Sequence, residues 1–156
     1  PMETVGLGFF FEDMTVGRKF RTIGRTITDA DILNYVNATG LVEVMFTNQE
    51  FRDHESDIKG RVAPGMLSYA FAEGLLVQAT MQYTGFAFLN MELNIEAPVF
   101  AGDTVHCEVE VVEARLSKSR PHRGLVRTHN RIVNQHGKTV LTYKPLRMIK
   151  CRSGLK

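Results

Sequence analysis

The sequence predicts an α+β fold in which a curved antiparallel sheet of about five strands is wrapped around one long buried helix. Residues 66–83 are apolar on nearly every helical face, which is typical of a buried helix. From Gly85 onward, apolar and polar residues alternate with a period of two, as they do in half-buried strands. A chain of 156 residues without an internal repeat is expected to form one domain, 1–156, with loose termini at about 1–9 and 152–156.

The first half of the chain is expected to contain a strand followed by a short helix. The strand is predicted over residues 19–27. Thr28 then begins the helix, because its hydroxyl can cap the first turn and Asp31, three residues later, completes a capping box. Gly40 is the residue type that commonly follows a last helical turn. Residues 48–54 can form one or two further helical turns.

The second half is expected to supply the buried helix and most of the sheet. Pro64 and Gly65 introduce the helix, which has Glu73 as a polar exception. Four stretches then show strand periodicity, and they are 86–95, 105–111, 124–133 and 139–149. A single copy of such a sheet exposes an edge strand, so we expect a homodimer in which a second copy covers that edge.

The composition argues against several functional classes. Nineteen Lys and Arg against seventeen Asp and Glu give a net charge of +2, and no dense basic run is present, so no nucleic-acid partner is expected. The longest apolar stretch contains Ser68, Glu73 and Gln78, which makes it too polar to span a membrane. The first residues lack the features of a signal peptide, so a cytoplasmic location is expected.

Metal and redox sites are not expected either. Cys107 and Cys151 form no CxxC motif and are too few for a disulfide framework, in keeping with a reducing compartment. No pair of the five histidines has metal-ligand spacing with carboxylates. We therefore expect no metal and no bound cofactor.

Several segments, in their order and spacing, resemble the MaoC-like dehydratases, a group that includes the (R)-specific enoyl-CoA hydratases. These segments are FFEDMTVG at 10–17, RTITDADI at 25–32, RVAPGML at 61–67, SKSRPHRG at 117–124 and VNQHG at 133–137. The resemblance implies the hotdog fold, a dimer, and a coenzyme A thioester as the small-molecule ligand. It also implies that the acyl chain lies beside the central helix, in a pocket expected to be lined by Leu41, Phe46, Met66 and Tyr69.

One segment departs from the resembled enzymes. Their hydratase signature after the first helix is Gly-Asp-x-Asn-Pro-aliphatic-His, and the Asp and His positions here hold Leu41 and Phe46. Hydration of an enoyl thioester needs a base that activates water and an acid that protonates the α-carbon. Neither Leu41 nor Phe46 can serve, so the alignment implies a non-standard acid/base set.

Glu43 and Glu73 are the carboxylates considered as replacements. Glu43 lies two residues after the lost aspartate position, and burial beside Phe46 would raise the pKa of its carboxyl group into a useful range. The alternative is an ordinary carboxylate on a solvated loop. Glu73 lies on the central helix, where some similar hotdog thioesterases place a catalytic carboxylate. The alternative for Glu73 is a carboxylate that is paired at a dimer interface or exposed.

The resemblance also assigns a substrate-binding role to the helix start and to several cations. Gly65 matches the family position whose backbone N–H binds the thioester oxygen, although proline and glycine are also ordinary helix-start residues. Lys118, Arg120 and Arg123 form a compact basic loop, which together with Arg61 is expected to bind the phosphates of coenzyme A. The alternative for the loop is a solvated hairpin.

The sequence is compatible with three functions. The first is an acyl-CoA hydratase or dehydratase, a lyase that adds or removes water at a 2-enoyl-CoA thioester. The second is an inactive acyl-CoA-binding hotdog protein, in which Leu41 and Phe46 enlarge the apolar lining. The third is a hotdog acyl-CoA thioesterase, which needs an activated water and an oxyanion hole but no α-carbon acid.

Overall fold

The computed structural model describes residues 1–154 and arranges eight strand segments around a central helix. The α-helices are α1 (Asp29–Thr39), α2 (Val44–Thr47), α3 (Gln49–His54) and α4 (Gly65–Leu76), and a π-helical turn (Val77–Met81) extends α4. The strands are β1 (Lys19–Arg21), β2 (Arg25–Thr26), β3 (Gly85–Asn90), β4 (Leu93–Ile95), β5 (Thr104–Leu116), β6 (Arg123–Val133), β7 (Thr139–Tyr143) and β8 (Leu146–Lys150). Short 3₁₀ turns lie at Phe11–Asp13 and Arg152–Gly154.

Helix α1 begins and ends as its sequence predicts. The Thr28 hydroxyl accepts a hydrogen bond from the Asp31 N–H at 3.1 Å, and the Asp31 carboxylate accepts one from the Thr28 N–H at 2.9 Å. Gly40 follows the last turn with φ of 71°, in the left-handed region that favours glycine. The buried side chains of the helix, Ile32 and Val36, join the main hydrophobic core.

The sheet is antiparallel throughout, with the long strands β5 and β6 at its centre. Strand β1 pairs with one side of β5, and β6 pairs with its other side. On the other side of β6, strand β7 pairs with one half of β6 and strand β8 pairs with the other half. Strand β4 pairs with β7 and strand β3 pairs with β8, so β3 and β4 form the edge of the sheet. This topology, with α4 packed on the strands, confirms the predicted α+β fold.

Three of the five predicted strands are each divided into two segments. The clearest break is in the stretch predicted over 139–149, where Pro145 separates β7 from β8. Proline has no N–H to donate to the ladder, although the Pro145 carbonyl still accepts a hydrogen bond from the Thr128 N–H at 3.3 Å. The other two breaks fall within 19–27 and 86–95.

Helix α4 is buried on one side only, which differs from the all-round burial predicted by its composition. Leu67, Ala72 and Leu76 are almost fully buried in the core against the sheet. On the opposite stripe, Met66 and Val77 are each 40% exposed. Within the described chain, no helix is both long and apolar enough to cross a membrane.

Residues near both ends of the described chain make contacts with the rest of the domain. The N–H groups of Gly8 and Phe9 donate to the backbone just after α4, so these last two residues of the stretch 1–9 are held by hydrogen bonds. Arg152 forms an ion pair with Asp13 at 2.8 Å. Residues 155 and 156, which belong to the expected loose C-terminal stretch, lie outside the described residues.

Candidate active-site cleft

A cleft of about 400 Å³ opens beside the first turn of α4 and is the candidate site. Its walls come from the α2 segment, the loop before α4, the chain after β4, and strand β7. The lining residues are mostly apolar, namely Met45, Phe46, Ile58, Val62, Ala63, Gly65, Ser68, Ile95, Glu96, Ala97, Pro98, Val99, Val140 and Leu141. An apolar cavity with a few convergent polar groups is the usual form of a small-molecule site.

Gly65 places the N-terminus of α4 at the cleft surface. The first N–H groups of an α-helix have no partner within the helix, and the helix dipole makes this end favourable for negative charge. A Cβ atom at Gly65 would lie only 2.6 Å from Cδ1 of Ile95, so glycine allows Ile95 to pack closely over the helix start. The cleft therefore combines an apolar wall with the first turn of a helix.

Ser68 is a polar residue of the cleft that sequence reasoning missed. It is only 2% exposed, and its hydroxyl makes no hydrogen bond with any of residues 1–154. A serine inside a helix commonly bonds back to the preceding turn, and this one does not. The only sequence signal is a hydroxyl in an otherwise apolar helix, which does not reveal the direction in which the side chain points.

The predicted pocket residues divide between the cleft and other surfaces. Phe46 lines the cleft, whereas Leu41 is 41% exposed and is not one of the lining residues. Met66 and Tyr69 are not among the lining residues either, and the ring of Tyr69 packs edge-on against Tyr143 at 5.1 Å. The acyl pocket predicted from these four residues is therefore represented in the cleft by Phe46 alone.

Arg61 holds the chain that carries Phe46 instead of facing open solvent. Its guanidinium donates to the Phe46 carbonyl and to the Asp29 carboxylate at the start of α1. Arg52 also donates to the Phe46 carbonyl, at 3.4 Å. Two of the Arg61 donor nitrogens, Nε and Nη1, thus fix the α2 segment to α1, and the expected phosphate contact of Arg61 stays a prediction.

The two predicted catalytic carboxylates both lie outside the cleft lining. Glu43 is exposed and caps α2, where its carboxylate accepts a hydrogen bond from the Met45 N–H at 2.9 Å. Glu73 is largely buried and accepts hydrogen bonds from the Tyr143 hydroxyl at 2.7 Å and from the Arg147 guanidinium. Glu73 is therefore ion-paired within the chain, in contrast to the interface or solvent positions considered from the sequence.

Glu96 is the acidic residue among the lining residues of the cleft, and it is exposed. It follows β4, and its carboxylate accepts a hydrogen bond from the Thr142 hydroxyl at 3.3 Å. Its own backbone N–H donates to Val140 at 2.9 Å, which fixes this part of the wall. Nothing in the local sequence distinguishes Glu96 from other surface carboxylates.

The basic loop between β5 and β6 lies far from this cleft. Leu141 of the cleft wall pairs with Ile132 near the end of β6, whereas Arg123 begins that strand. Nine residues of strand separate Arg123 from Ile132, which is roughly 30 Å of chain. The structure therefore does not bring Lys118, Arg120 and Arg123 together with the cleft of the same chain.

Burial changes the ionisation of groups on the inner face of the sheet. It raises the pKa of the Cys107 thiol to about 12 and also raises the pKa of the Tyr143 phenol. Both groups therefore stay protonated at neutral pH, and Tyr143 serves as a hydrogen-bond donor to Glu73. Within residues 1–154, no three His, Cys, Asp or Glu side chains lie close enough together to hold a metal ion.

A larger depression of about 520 Å³ lies on the outer face of β1, β5 and β6. Charged side chains of both signs line it, and two of them, Glu108 and Arg131, form an ion pair at 2.6 Å. Among the described residues, those that line it belong to strands, and none lies at a helix terminus. The cleft beside α4 is therefore the stronger candidate, because it provides apolar surface beside the N-terminus of a helix.

Comparison with known proteins gives the family. A profile described as MaoC like domain matches residues 12–134. An (R)-specific enoyl-CoA hydratase from Rhodospirillum rubrum is 29% identical over 102 residues, which cover 65% of this chain and 69% of that relative. The crystal structure of a MaoC-like dehydratase from Rhodospirillum rubrum has a TM-score of 0.82 at 27% identity, covering 93% of this chain and 99% of that one.

A third likeness confirms the fold. A Mycobacterium tuberculosis protein described as having a double hotdog fold matches with a TM-score of 0.83 at 22% identity, covering 99% of this chain and 47% of that one. The observed antiparallel sheet around a central helix agrees with it. Because the family profile also covers most of the sequence, including α2, the start of α4 and Glu96, this chain belongs to the MaoC-like domain family.

Proposed function

We propose that this chain binds acyl-CoA thioesters in the cleft beside α4 and adds water to a 2-enoyl-CoA, or removes water from the 3-hydroxyacyl product. The observation that carries the proposal is the helix N-terminus at Gly65, which opens into an otherwise apolar cleft. An acyl chain needs the apolar wall, and a thioester oxygen needs donors at one end of it. The similarity to an (R)-specific enoyl-CoA hydratase supports the same chemistry.

In the proposed reaction, water attacks C3 of the enoyl thioester and the π electrons move toward the carbonyl oxygen. The Gly65 N–H donates to this oxygen while it carries negative charge, and preorganised donors of this kind stabilise such a transition state strongly. A base takes one proton from the attacking water, and a proton is delivered to C2. The product is a 3-hydroxyacyl thioester, and the reverse sequence removes water.

We infer that the acid/base set is non-standard and that Glu96 belongs to it. We take Leu41 and Phe46 to stand at the positions where the resembled hydratases have aspartate and histidine, and no histidine is among the lining residues of the cleft as described. Glu43 is used as a helix cap and Glu73 as an ion-pair partner. Glu96 is the carboxylate that shares the cleft wall with Gly65.

The role of Glu96 can be tested by comparing three isosteric variants. We expect Glu96→Gln to lower hydration about 100-fold or more, because general acid/base groups contribute this much. Glu43→Gln serves as the matched control, since its amide oxygen can still cap α2, and it should leave turnover unchanged. If Glu96→Gln keeps full turnover while Glu43→Gln or Glu73→Gln abolishes it in folded protein, the assignment to Glu96 is wrong.

A second candidate function is acyl-CoA binding without chemistry. The observation that favours it is Phe46, which lines the cleft at the position where we expect the resembled hydratases to have histidine. An assay that separates the candidates is incubation with 2-enoyl-CoA esters of different chain length, with products read by mass spectrometry. Gain of one water indicates a hydratase, release of free coenzyme A indicates a thioesterase, and binding without change indicates the inactive protein.

We also propose that the protein is a homodimer joined along the edge formed by β3 and β4. This edge exposes Phe86, Phe88 and Leu89 by 40–47%, which is unusual for large apolar side chains on a free strand. Sedimentation should show a dimer that Leu89→Lys weakens. Ile23→Lys, at an exposed apolar position beside the opposite edge, is the control and should leave the dimer intact. A monomer in the unaltered protein contradicts the proposal.

A further inference from the structure

We propose that the Ser68 hydroxyl binds an oxygen atom on C3 of the acyl group, so that the cleft selects 3-hydroxyacyl thioesters over saturated ones. This inference rests on the proposed function, because it takes the thioester carbonyl to lie at the Gly65 N–H. It adds a contact that neither the family signature nor the helix terminus supplies. Ser68 would be a substrate-binding residue with no part in moving protons.

The first support is that the Ser68 hydroxyl has no partner within the protein. It is buried among residues 1–154 without a hydrogen bond, although the residue lines the cleft. Buried hydroxyl groups in folded proteins nearly always have a partner. Because the neighbouring wall residues Val140 and Leu141 are aliphatic, a bound molecule is the natural source of one.

The second support is the position of Ser68 relative to Gly65. Three residues along an α-helix bring a side chain back to nearly the same face, about 4.5 Å further along the axis. Three carbon atoms, C1 to C3, link the carbonyl oxygen of the thioester to an oxygen on C3, and this span is comparable with one helical turn. A thioester held at Gly65 with its acyl chain running along α4 therefore presents its C3 oxygen to Ser68.

The third support is the chemistry of the surrounding wall. Apart from Ser68 and Glu96, the side chains that line the cleft carry no polar groups. A ligand oxygen on C3 would lose its hydrogen bonds with water in such a cleft unless Ser68 replaces them. A saturated acyl chain would instead leave the hydroxyl without a partner. Ser68 would therefore favour the 3-hydroxyacyl thioester over the saturated one, although the two ligands are nearly equal in size.

The test measures dissociation constants by calorimetry for (R)-3-hydroxybutyryl-CoA and for butyryl-CoA. The unaltered protein is expected to bind the hydroxylated ester about tenfold more tightly, as one hydrogen bond allows. Ser68→Ala should reduce this preference to less than about twofold without lowering the melting temperature, because it removes a hydroxyl that has no partner. Thr84→Val is the matched control, since Thr84 is also buried with an unpartnered hydroxyl but lies outside the cleft lining.

Each outcome of this experiment bears on one claim. An unchanged tenfold preference in Ser68→Ala overturns the role of Ser68, as does equal binding of both esters by the unaltered protein. An equal loss of affinity for both esters in Ser68→Ala shows that the serine only shapes the cleft, which also contradicts the inference. If neither ester binds the unaltered protein, the proposed function itself fails, and the inference fails with it.

Discussion

Replacing Gly65 by alanine should separate function from stability. The added Cβ would lie 2.6 Å from Cδ1 of Ile95, which is closer than two carbon atoms can approach, so the Ile95 side chain must move. It can do so at little cost, because Ile95 is 55% exposed. The helix start also tolerates alanine, which loses less backbone entropy on folding than glycine does. We therefore expect the free energy of unfolding to change by about 1 kcal/mol or less.

The effect of Gly65→Ala on the reaction should be much larger. The new methyl group and the displaced Ile95 side chain occupy the space through which a thioester oxygen would reach the N–H at residue 65. Loss of one oxyanion donor lowers turnover about 100-fold to 1000-fold in comparable sites. Hydration kinetics with a 2-enoyl-CoA and a thermal unfolding curve on the same samples measure both quantities.

Gly74→Ala is the control for this variant. Gly74 lies on the same helix, and a Cβ there would have no atom within 4 Å. The substitution should stabilise the helix by about 1 kcal/mol, since alanine has the higher helix propensity, and leave turnover unchanged. Retention of full turnover by Gly65→Ala, with a melting temperature within a few degrees of the unaltered protein, would refute the assignment of the oxyanion site to this helix terminus.

Three further predictions concern the interior and the outer face of the sheet. Glu73→Ala should destabilise the protein by about 3–5 kcal/mol in urea unfolding, because it leaves Arg147 buried without its counter-charge. A loss below 1 kcal/mol would show that the pair is unimportant. Cys107, buried and with a thiol pKa of about 12, should resist thiol-specific labelling at pH 8 until the protein unfolds, and rapid labelling would contradict its placement. Hydrogen bonds from Arg131 and His106 lower the pKa of the Glu108 carboxyl below its usual 4.5. The stability that this provides is present above pH 4.5 and is lost as the pH falls through the lowered pKa. Glu108→Gln should flatten that part of the pH–stability curve, and an unchanged curve would count against the contact.

Local sequence signals were sufficient for helix α1 and for the fold class, whereas helix α2 was not predicted. The capping box of Thr28 and Asp31 and the terminal Gly40 act within a few residues of each other, so they are visible in the sequence and are confirmed in the structure. The strand breaks were harder to predict. The alternation of apolar residues continues across Pro145, so the sequence pattern does not show the break. The hydrogen bonds that Pro145 interrupts are formed with β6, which is a separate segment of the chain.

The candidate cleft contains two of the residues expected from the sequence, Gly65 and Phe46. Gly65 lies at the start of α4 as expected and lines the cleft. Arg61 and Glu73 each form an ion pair with a residue far away in the sequence. Arg61 contacts Asp29, and Glu73 contacts Arg147, which lies 74 residues later. Ser68 and Glu96 share one cleft only because β4 folds back beside α4, which no sequence spacing reveals.

The most direct test of the account is hydration in water labelled with ¹⁸O. The protein and a 2-enoyl-CoA are incubated in the labelled water, and the products are analysed by mass spectrometry. We predict that the unaltered protein forms a 3-hydroxyacyl-CoA carrying one ¹⁸O on C3 and that Gly65→Ala forms much less of it. Recovery of unchanged enoyl-CoA, or of a free acid with the label in its carboxyl group and free coenzyme A, would contradict it.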